Sequence, residues 1–210
     1  ISSGATTSVR AALIGSDSIQ LITVDGGIVT MSTSSGDTES VGRLALGSVE
    51  FGVVTTSGDR LVVVGADGSA LVDDTGVEIG TYPGAELAPE TWAARGSTCV
   101  ALTDDTSGQV ALVAFDDGST LNEAAMTAPL FSTVDGCTVA SRVATGYQVT
   151  SPESVATVDV DGVGAMVGLS PDGAKVALTI KGRLALADAA TGTDTIDLGP
   201  AGRTVEFTRQ

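Results

Sequence analysis

One phrase recurs along this chain at nearly constant spacing: an extended apolar segment, a turn ending in glycine, and a second apolar run. It appears as Val53–Arg60 leading into LVVV, Thr91–Gly96 into STCVAL, Leu130–Gly136 into CTVAS, and Val167–Gly173 into AKVAL. The turn glycines Gly58, Gly96, Gly136 and Gly173 are 38, 40 and 37 residues apart. That interval matches a four-stranded antiparallel sheet with its turns, the repeating unit of a β-propeller.

With the strands of a blade lettered A to D from the axis outward, residues 48–81 read most clearly. SVEFGVVTT is A, RLVVVGA is B, SALVDD is C and VEIGTY is D, separated by Asp-Gly and Asp-Thr-Gly turns. The next repeat runs from PETWAAR through TCVALTD and GQVALVAFD to STLNEAA. A third starts with PLFSTV and CTVASRV and then becomes ambiguous, because YQVTSP and SVATVDVD read either as C and D or as one irregular C. The last has AMVGLS, KVALTI, RLALADA and TDTIDLG.

The two chain ends complement each other. The C-terminal TVEFTRQ resembles the A strand SVEFGVV, and the N-terminal VRAALIGSDSIQLITVDGGIVTM reads as B, C and D of a blade without its A. The sequence therefore predicts a single all-β domain, a five-bladed β-propeller closed by the C-terminal strand pairing into the N-terminal blade. The predicted blades are 1–47 with 203–210, then 48–88, 89–127, 128–163 and 164–202. Residues Ser32–Gly47 form an insertion, either an extra strand or a surface loop. A pair of β-sandwich domains would also give short strands and turns but does not account for the period and the matching ends, and a β-solenoid or another all-β form is the remaining alternative.

The phrase Leu169-Ser-Pro-Asp-Gly173, followed by Ala-Lys-Val-Ala-Leu, resembles the inner-strand turn of bacterial propeller repeats of the TolB and YVTN type. The other repeats keep only the glycine and the apolar run. The resemblance implies a fold and not an activity. Propellers of this kind commonly serve as binding or scaffolding modules of larger envelope proteins and lipoproteins.

Charge narrows the partners. With 26 acidic against 10 basic residues the formal net charge is −16, which repels nucleic acid phosphates and anionic lipid head groups. No apolar run approaches the ~20 residues that cross a bilayer, so no membrane insertion is expected within the chain. The start at Ile1-Ser-Ser-Gly, without an initiator methionine, reads as a trimmed ectodomain and hence an extracytoplasmic location. Cys99 and Cys137 lie one repeat apart. A disulfide between them is expected, with two buried thiols as the other reading. Cys99 follows its turn glycine by three residues and Cys137 by one, so both nominally face the same way, and a bond requires a bulge or register shift.

Much chemistry is excluded by composition. The chain has no histidine, which removes Ser-His and Cys-His nucleophile pairs and the commonest metal ligand. Two cysteines so far apart do not make a zinc site, and no glycine-rich stretch ends in Gly-Lys-Ser/Thr. Glu50, Glu90 and Glu206 are the inner-strand acids, and Glu50 with Glu206 is the nearest approach to a glycosidase pair, although solvated strand-end acids read the same way.

Aspartate gathers at turns. Asp25, Asp73, Asp74, Asp116, Asp117 and Asp188 are assigned to C–D turns, and Asp59, Asp135 and Asp172 to A–B turns on the same face. Backbone turn chemistry explains such residues. Calcium is the competing explanation, with Asp73, Asp74, Asp116 and Asp117 as its candidate ligands. Tyr82 and Tyr147, near the loops, are the candidate binding aromatics, and Trp92 reads as core. No catalytic residue and no cofactor other than calcium is assigned, and no small-molecule ligand is named. The functional reading is a non-enzymatic extracytoplasmic propeller, a protein-interaction or scaffold module of a larger cell-envelope protein. The alternatives are a carbohydrate-binding or glycoside-hydrolase propeller and a calcium-stabilised structural domain.

Overall fold

A computed structural model describes residues 8–54, 59–87, 98–104, 106–126 and 131–201. These form twenty β-strands in five antiparallel sheets of four strands each. Sheet 1 is β1 (Val9–Ile14), β2 (Ser18–Thr23), β3 (Gly27–Ser32) and β4 (Thr38–Arg43); sheet 2 is β5 (Val49–Val54), β6 (Arg60–Gly65), β7 (Gly68–Asp73) and β8 (Glu78–Pro83). Sheet 3 holds β9 (Glu86–Leu87), β10 (Cys99–Asp104), β11 (Gln109–Ala114) and β12 (Thr120–Ala125). In sheet 4 are β13 (Phe131–Ser132), β14 (Val139–Val143), β15 (Gly146–Ser151) and β16 (Ser154–Asp159), and in sheet 5 β17 (Val163–Leu169), β18 (Lys175–Ile180), β19 (Arg183–Asp188) and β20 (Ile196–Pro200). Each sheet is a meander in sequence order, the strand order of a propeller blade.

The chain separates into two compact units, one made of residues 1–86 with 115–118 and the other of 87–114 with 119–210. In the first, Leu13, Ile22, Leu46, Val49, Leu61 and Val63 are core residues. In the second, Tyr147, Met166, Leu169, Val176 and Leu178 form one cluster, and Ala101, Val110, Leu112, Met126 and Val139 another. Burial is set by position in the meander. β6 and β7 are buried along nearly their whole length, because both faces are covered, and their sequences RLVVVG and GSALVD are continuous in small and apolar residues. The outer strand β4 is exposed throughout, and β12, β16 and β20 nearly so.

The repeat reading holds strand by strand in sheets 2 and 5, and the ambiguous segment 147–161 resolves into two regular strands, β15 and β16. Sheet 1 differs from expectation. Among the described residues, 9–14 are the first strand of their sheet, and the expected insertion supplies its fourth, β4. Its sequence TESVGR carries no apolar alternation because neither face of it is buried. The C-terminal closure, Glu206 and the proposed pair with Glu50 lie outside the described residues, as do Glu90, Trp92 and the expected inner strand at 89–95. In the described part of sheet 3 the first position is held by the short β9.

The pairing of third and fourth strands shows one further regularity. Four of the five pairs break register once, each time leaving one extra apolar residue on the outer strand: Val41, Ile79, Leu121 and Leu198. Such bulges twist an edge and disrupt its ladder, which hinders pairing with other strands. Only β15 and β16 pair without interruption.

Candidate functional site

Turns between third and fourth strands carry most of the predicted aspartates, each pair in the turn of its own sheet. Asp73 and Asp74 lie in the β7–β8 turn, Asp116 and Asp117 in the β11–β12 turn, and Asp188 in the β19–β20 turn. Asp59, Asp135 and Asp172 occupy first turns. Asp25 does not belong with them. It sits in the β2–β3 turn, the second of its sheet, because sheet 1 begins one strand earlier than the sequence suggests, and turns of a meander alternate between its two ends.

Several of these carboxylates are spent on the turns that carry them. Asp73 Oδ1 accepts from the amides of Thr75 and Val77 at 2.9 and 2.8 Å and from the Thr75 hydroxyl at 2.7 Å. Burial alone raises the Asp73 pKa, but these donors outweigh it and hold the group below the usual carboxylate range. Asp188 accepts from the Thr191 hydroxyl at 2.9 Å and from the amides of Thr191 and Ala190, both at 3.1 Å, and is lowered chiefly by that hydroxyl. Asp116 caps the Asp117 amide at 3.0 Å.

A four-residue form of the same device occurs three times, as Thr23-Val-Asp25-Gly26, Thr133-Val-Asp135-Gly136 and Ser170-Pro-Asp172-Gly173. In each, the hydroxyl donates to the aspartate at 2.5–2.6 Å, and the glycine amide donates to the carbonyl of the first residue at 2.9–3.1 Å. The SPDG phrase is thus one instance of a turn that threonine builds equally well. Among the described residues no three acidic, cysteine or histidine side chains converge as a metal site.

Both tyrosine hydroxyls are hydrogen-bonded within the fold. The Tyr82 hydroxyl donates to the Gly118 carbonyl at 2.6 Å, and the Tyr147 hydroxyl to the Asp188 carbonyl at 2.7 Å. Both acceptors lie in turns between third and fourth strands. Residues 115–118 belong to the same compact unit as Tyr82, and Arg60 Nε donates to the Phe115 carbonyl beside it at 3.1 Å. Burial pushes each phenol up to about 12, with Asp117 adding to the effect at Tyr82 and Asp188 at Tyr147.

These turns rest on preceding strands at close range. A Cβ on Gly118 would lie 3.0 Å from Ile79 Cγ2 and 3.1 Å from the Tyr82 hydroxyl, and one on Gly192 would collide with Val158. Both glycines also have positive φ, 69° in each case, so no other residue suits them well. Similarly, a Cβ on Gly76 would lie 3.1 Å from Val41 Cγ2 and 3.2 Å from Ile28 Cγ2. The β15–β16 turn is held another way, by Asn122 Nδ2 donating to the Ser151 carbonyl at 2.7 Å. Sequence reasoning singled out the tyrosines as aromatic anchors and missed the carbonyls they hold, for which no local signal exists.

Cys99 and Cys137 form a disulfide, with their Cα atoms 4.9 Å apart. The parity difficulty disappears because Cys137 precedes β14 and lies in its turn, where strand alternation does not fix side-chain direction. The Asp135 carbonyl accepts from the Thr98 and Cys99 amides at 2.8 and 3.1 Å, and so brings the start of β10 to that turn. Closing a loop of this length contributes about 4 kcal/mol in the chain-entropy description.

One open groove of about 560 Å³ lies on sheet 1 beside Thr23, Val29, Ser40 and Gly42. Its charged groups, Asp25 and Arg43, pair with each other at 2.5 Å and are both well exposed, so the pair adds little stability. No helix among the described residues is long and apolar enough to cross a membrane.

No family model and no curated protein matches the sequence. Among solved structures, the chain is similar to Hsv2 of Kluyveromyces lactis, with 15% identity, 82% of this chain and 59% of that chain covered, and a TM-score of 0.40. The corresponding values for Hsv2 of Kluyveromyces marxianus are 12%, 89%, 66% and 0.42. For the K. lactis protein with loop 6CD replaced by a Gly-Ser linker they are 14%, 89%, 66% and 0.41. The chain spans less than two thirds of the length of these structures, and likeness at this level transfers no site to it.

Proposed function

We propose that the chain is a non-enzymatic propeller module that binds or scaffolds protein partners outside the cytoplasm, as part of a larger cell-envelope protein. The observation that carries this reading is the use made of the reactive side chains. The tyrosine hydroxyls and the best-held turn carboxylates are committed to fastening turns to strands, and a chain without histidine has few other groups with which to do chemistry. The disulfide favours an oxidising compartment, and the five meanders favour a blade architecture.

The oxidised chain should give no turnover on a glycoside-hydrolase substrate panel and no reproducible signal on a glycan array, and a consistent sugar hit would overturn the interaction-module reading. Melting curves with calcium and with chelator should coincide. A rise in Tm with calcium would favour a calcium-stabilised domain instead.

A further inference from the structure

Of the five outer strands, four carry devices that discourage the addition of another strand. β4, β8, β12 and β20 each break register once against their partners. In addition, β4 and β12 hold Glu39 and Glu123 in their interiors, and β8 and β20 end in Pro83 and Pro200. β16 has none of these. It pairs with β15 over all six of its residues, and Ser154-Val-Ala-Thr-Val158 is free of charge, proline and glycine and rich in residues that favour strands.

Register fixes which backbone groups of β16 are open. Ser151 and Ser154 pair across a two-residue turn, and Val160 N donates to the Thr145 carbonyl at 2.9 Å. Hydrogen-bonded pairs alternate along an antiparallel ladder, so the even-numbered residues of β16 bond to β15, and the N–H and C=O groups of Val155 and Thr157 point outward. Among the described residues no backbone group pairs with them, and β16 ends its sheet. Both residues are exposed, Val155 at 45%, whereas Val158 of the same strand is buried beneath Gly192. The turn that covers a face of sheet 4 therefore leaves its edge uncovered.

We propose that β16 is a docking edge that takes an extended segment of a partner protein, basic at both ends, as a fifth strand of sheet 4. The proposal rests on the protein-interaction reading and gives the partner its chemistry. Charge selects the occupant. The β15–β16 hairpin carries Glu153 and Asp159, both exposed, at the two ends of the open edge, and it has no basic residue. Antiparallel pairing of β16 along its full length with a second copy sets Val155 opposite Thr157 and Glu153 of each copy opposite Asp159 of the other, and like charges so placed are destabilising. Lysine or arginine at those two places in a partner strand makes both encounters favourable, while the main-chain bonds at Val155 and Thr157 supply affinity.

Nuclear magnetic resonance of the oxidised, ¹⁵N-labelled full chain tests this, with the capped peptide Lys-Thr-Val-Thr-Val-Thr-Lys as probe. In the free chain the Val155 and Thr157 amides should exchange with deuterium at least about tenfold faster than those of Ala156 and Val158, which bond to β15. Added peptide should shift the Val155 and Thr157 signals and slow their exchange. The same peptide N-methylated at both valines should bind at least about tenfold more weakly, and one with glutamate for both lysines at least about threefold more weakly. Thr157→Pro removes an outward donor and leaves the β15 ladder intact, so it should weaken the lysine peptide at least about tenfold. Glu153→Lys, at an exposed turn position, should reverse the preference between lysine and glutamate peptides whatever the proline does to folding.

Protected Val155 and Thr157 amides in the free chain overturn the proposal, as does a lack of shifts at about 2 mM lysine peptide, a Kd range in which a seven-residue strand should register. Equal binding of the N-methylated peptide does so too. Exchange at this edge that slows with protein concentration alone assigns it to a second copy and overturns the basic partner. None of these results bears on the glycan and hydrolase panels, so the interaction-module reading stands or falls separately.

Discussion

Sheets 4 and 5 have the same strand order and opposite outer faces. In sheet 4, Tyr147 is fully buried, its hydroxyl holds the Asp188 carbonyl, and Val158 receives Gly192. In sheet 5, β20 bulges at Leu198 and leaves it and Ile196 half exposed. Both outer strands carry apolar residues, so composition does not separate them. Among the described residues, a turn from a later part of the chain sits on sheet 4 and none sits on sheet 5. The difference teaches that an apolar residue of an outer strand can serve as a seat for a neighbouring turn, as Val158 does for Gly192.

The largest break in this comparison should come from Gly192→Val. A β-branched residue at φ 69° is strained by about 1–2 kcal/mol, and collision with Val158 adds about 1–3 kcal/mol more. A loss of about 3 kcal/mol or more should appear as a Tm lowered by roughly 6–12 °C in calorimetry. Gly36→Ala, with φ 74° but open space, should cost only about 1 kcal/mol. Equal losses at the two positions would erase the distinction between seated and unseated turns.

Next in size is Tyr147→Phe, which removes one of two hydrogen bonds to the Asp188 carbonyl, the Gly192 amide keeping the other at 2.9 Å, and should cost about 0.5–1.5 kcal/mol in urea unfolding. The same change at Tyr82, which is only partly buried, should fall at the lower end of that range. These are the only two tyrosines, so ultraviolet titration reads both directly. Each folded pKa of about 12 exceeds the ordinary value of 10, so the neutral phenol is favoured by folding. The stability this provides is complete below pH 10 and is lost as pH rises from 10 through 12. Phenolate absorbance that develops near pH 10 in the folded protein would remove the buried hydrogen bond from the account. The smallest effect belongs to Leu198→Asp, at a half-exposed position, which should leave the unfolding free energy within about 0.5 kcal/mol of wild type.

Strands covered on both faces were legible in the sequence, because burial there demands apolar residues and leaves runs such as LVVV in β6 and KVAL in β18. The strand β4 was not, since every residue of TESVGR is exposed and only Val41 meets a neighbouring turn, so little beyond an extended backbone is required of it. Turn aspartates were legible as turn chemistry for the same local reason: hydroxyl, carboxylate and amide lie within a few residues of one another. The role of the tyrosines was hidden because Tyr82 and Gly118 are 36 residues apart, and Tyr147 and Asp188 are 41 apart. A carbonyl acceptor leaves no mark in sequence. Asp25 was assigned to the wrong end of its sheet through the same gap, since an invisible β4 shifts every letter in sheet 1 by one.

The Cys99–Cys137 bond has a mechanical consequence. When a force is applied to the two ends of the chain, tension travels along the shortest covalent path. With the bond closed that path crosses from residue 99 to residue 137, and the 38-residue separation bears no load. β10 to β13 would be shielded from stretching, and the fully extended chain would be shorter by about 130 Å than its reduced form.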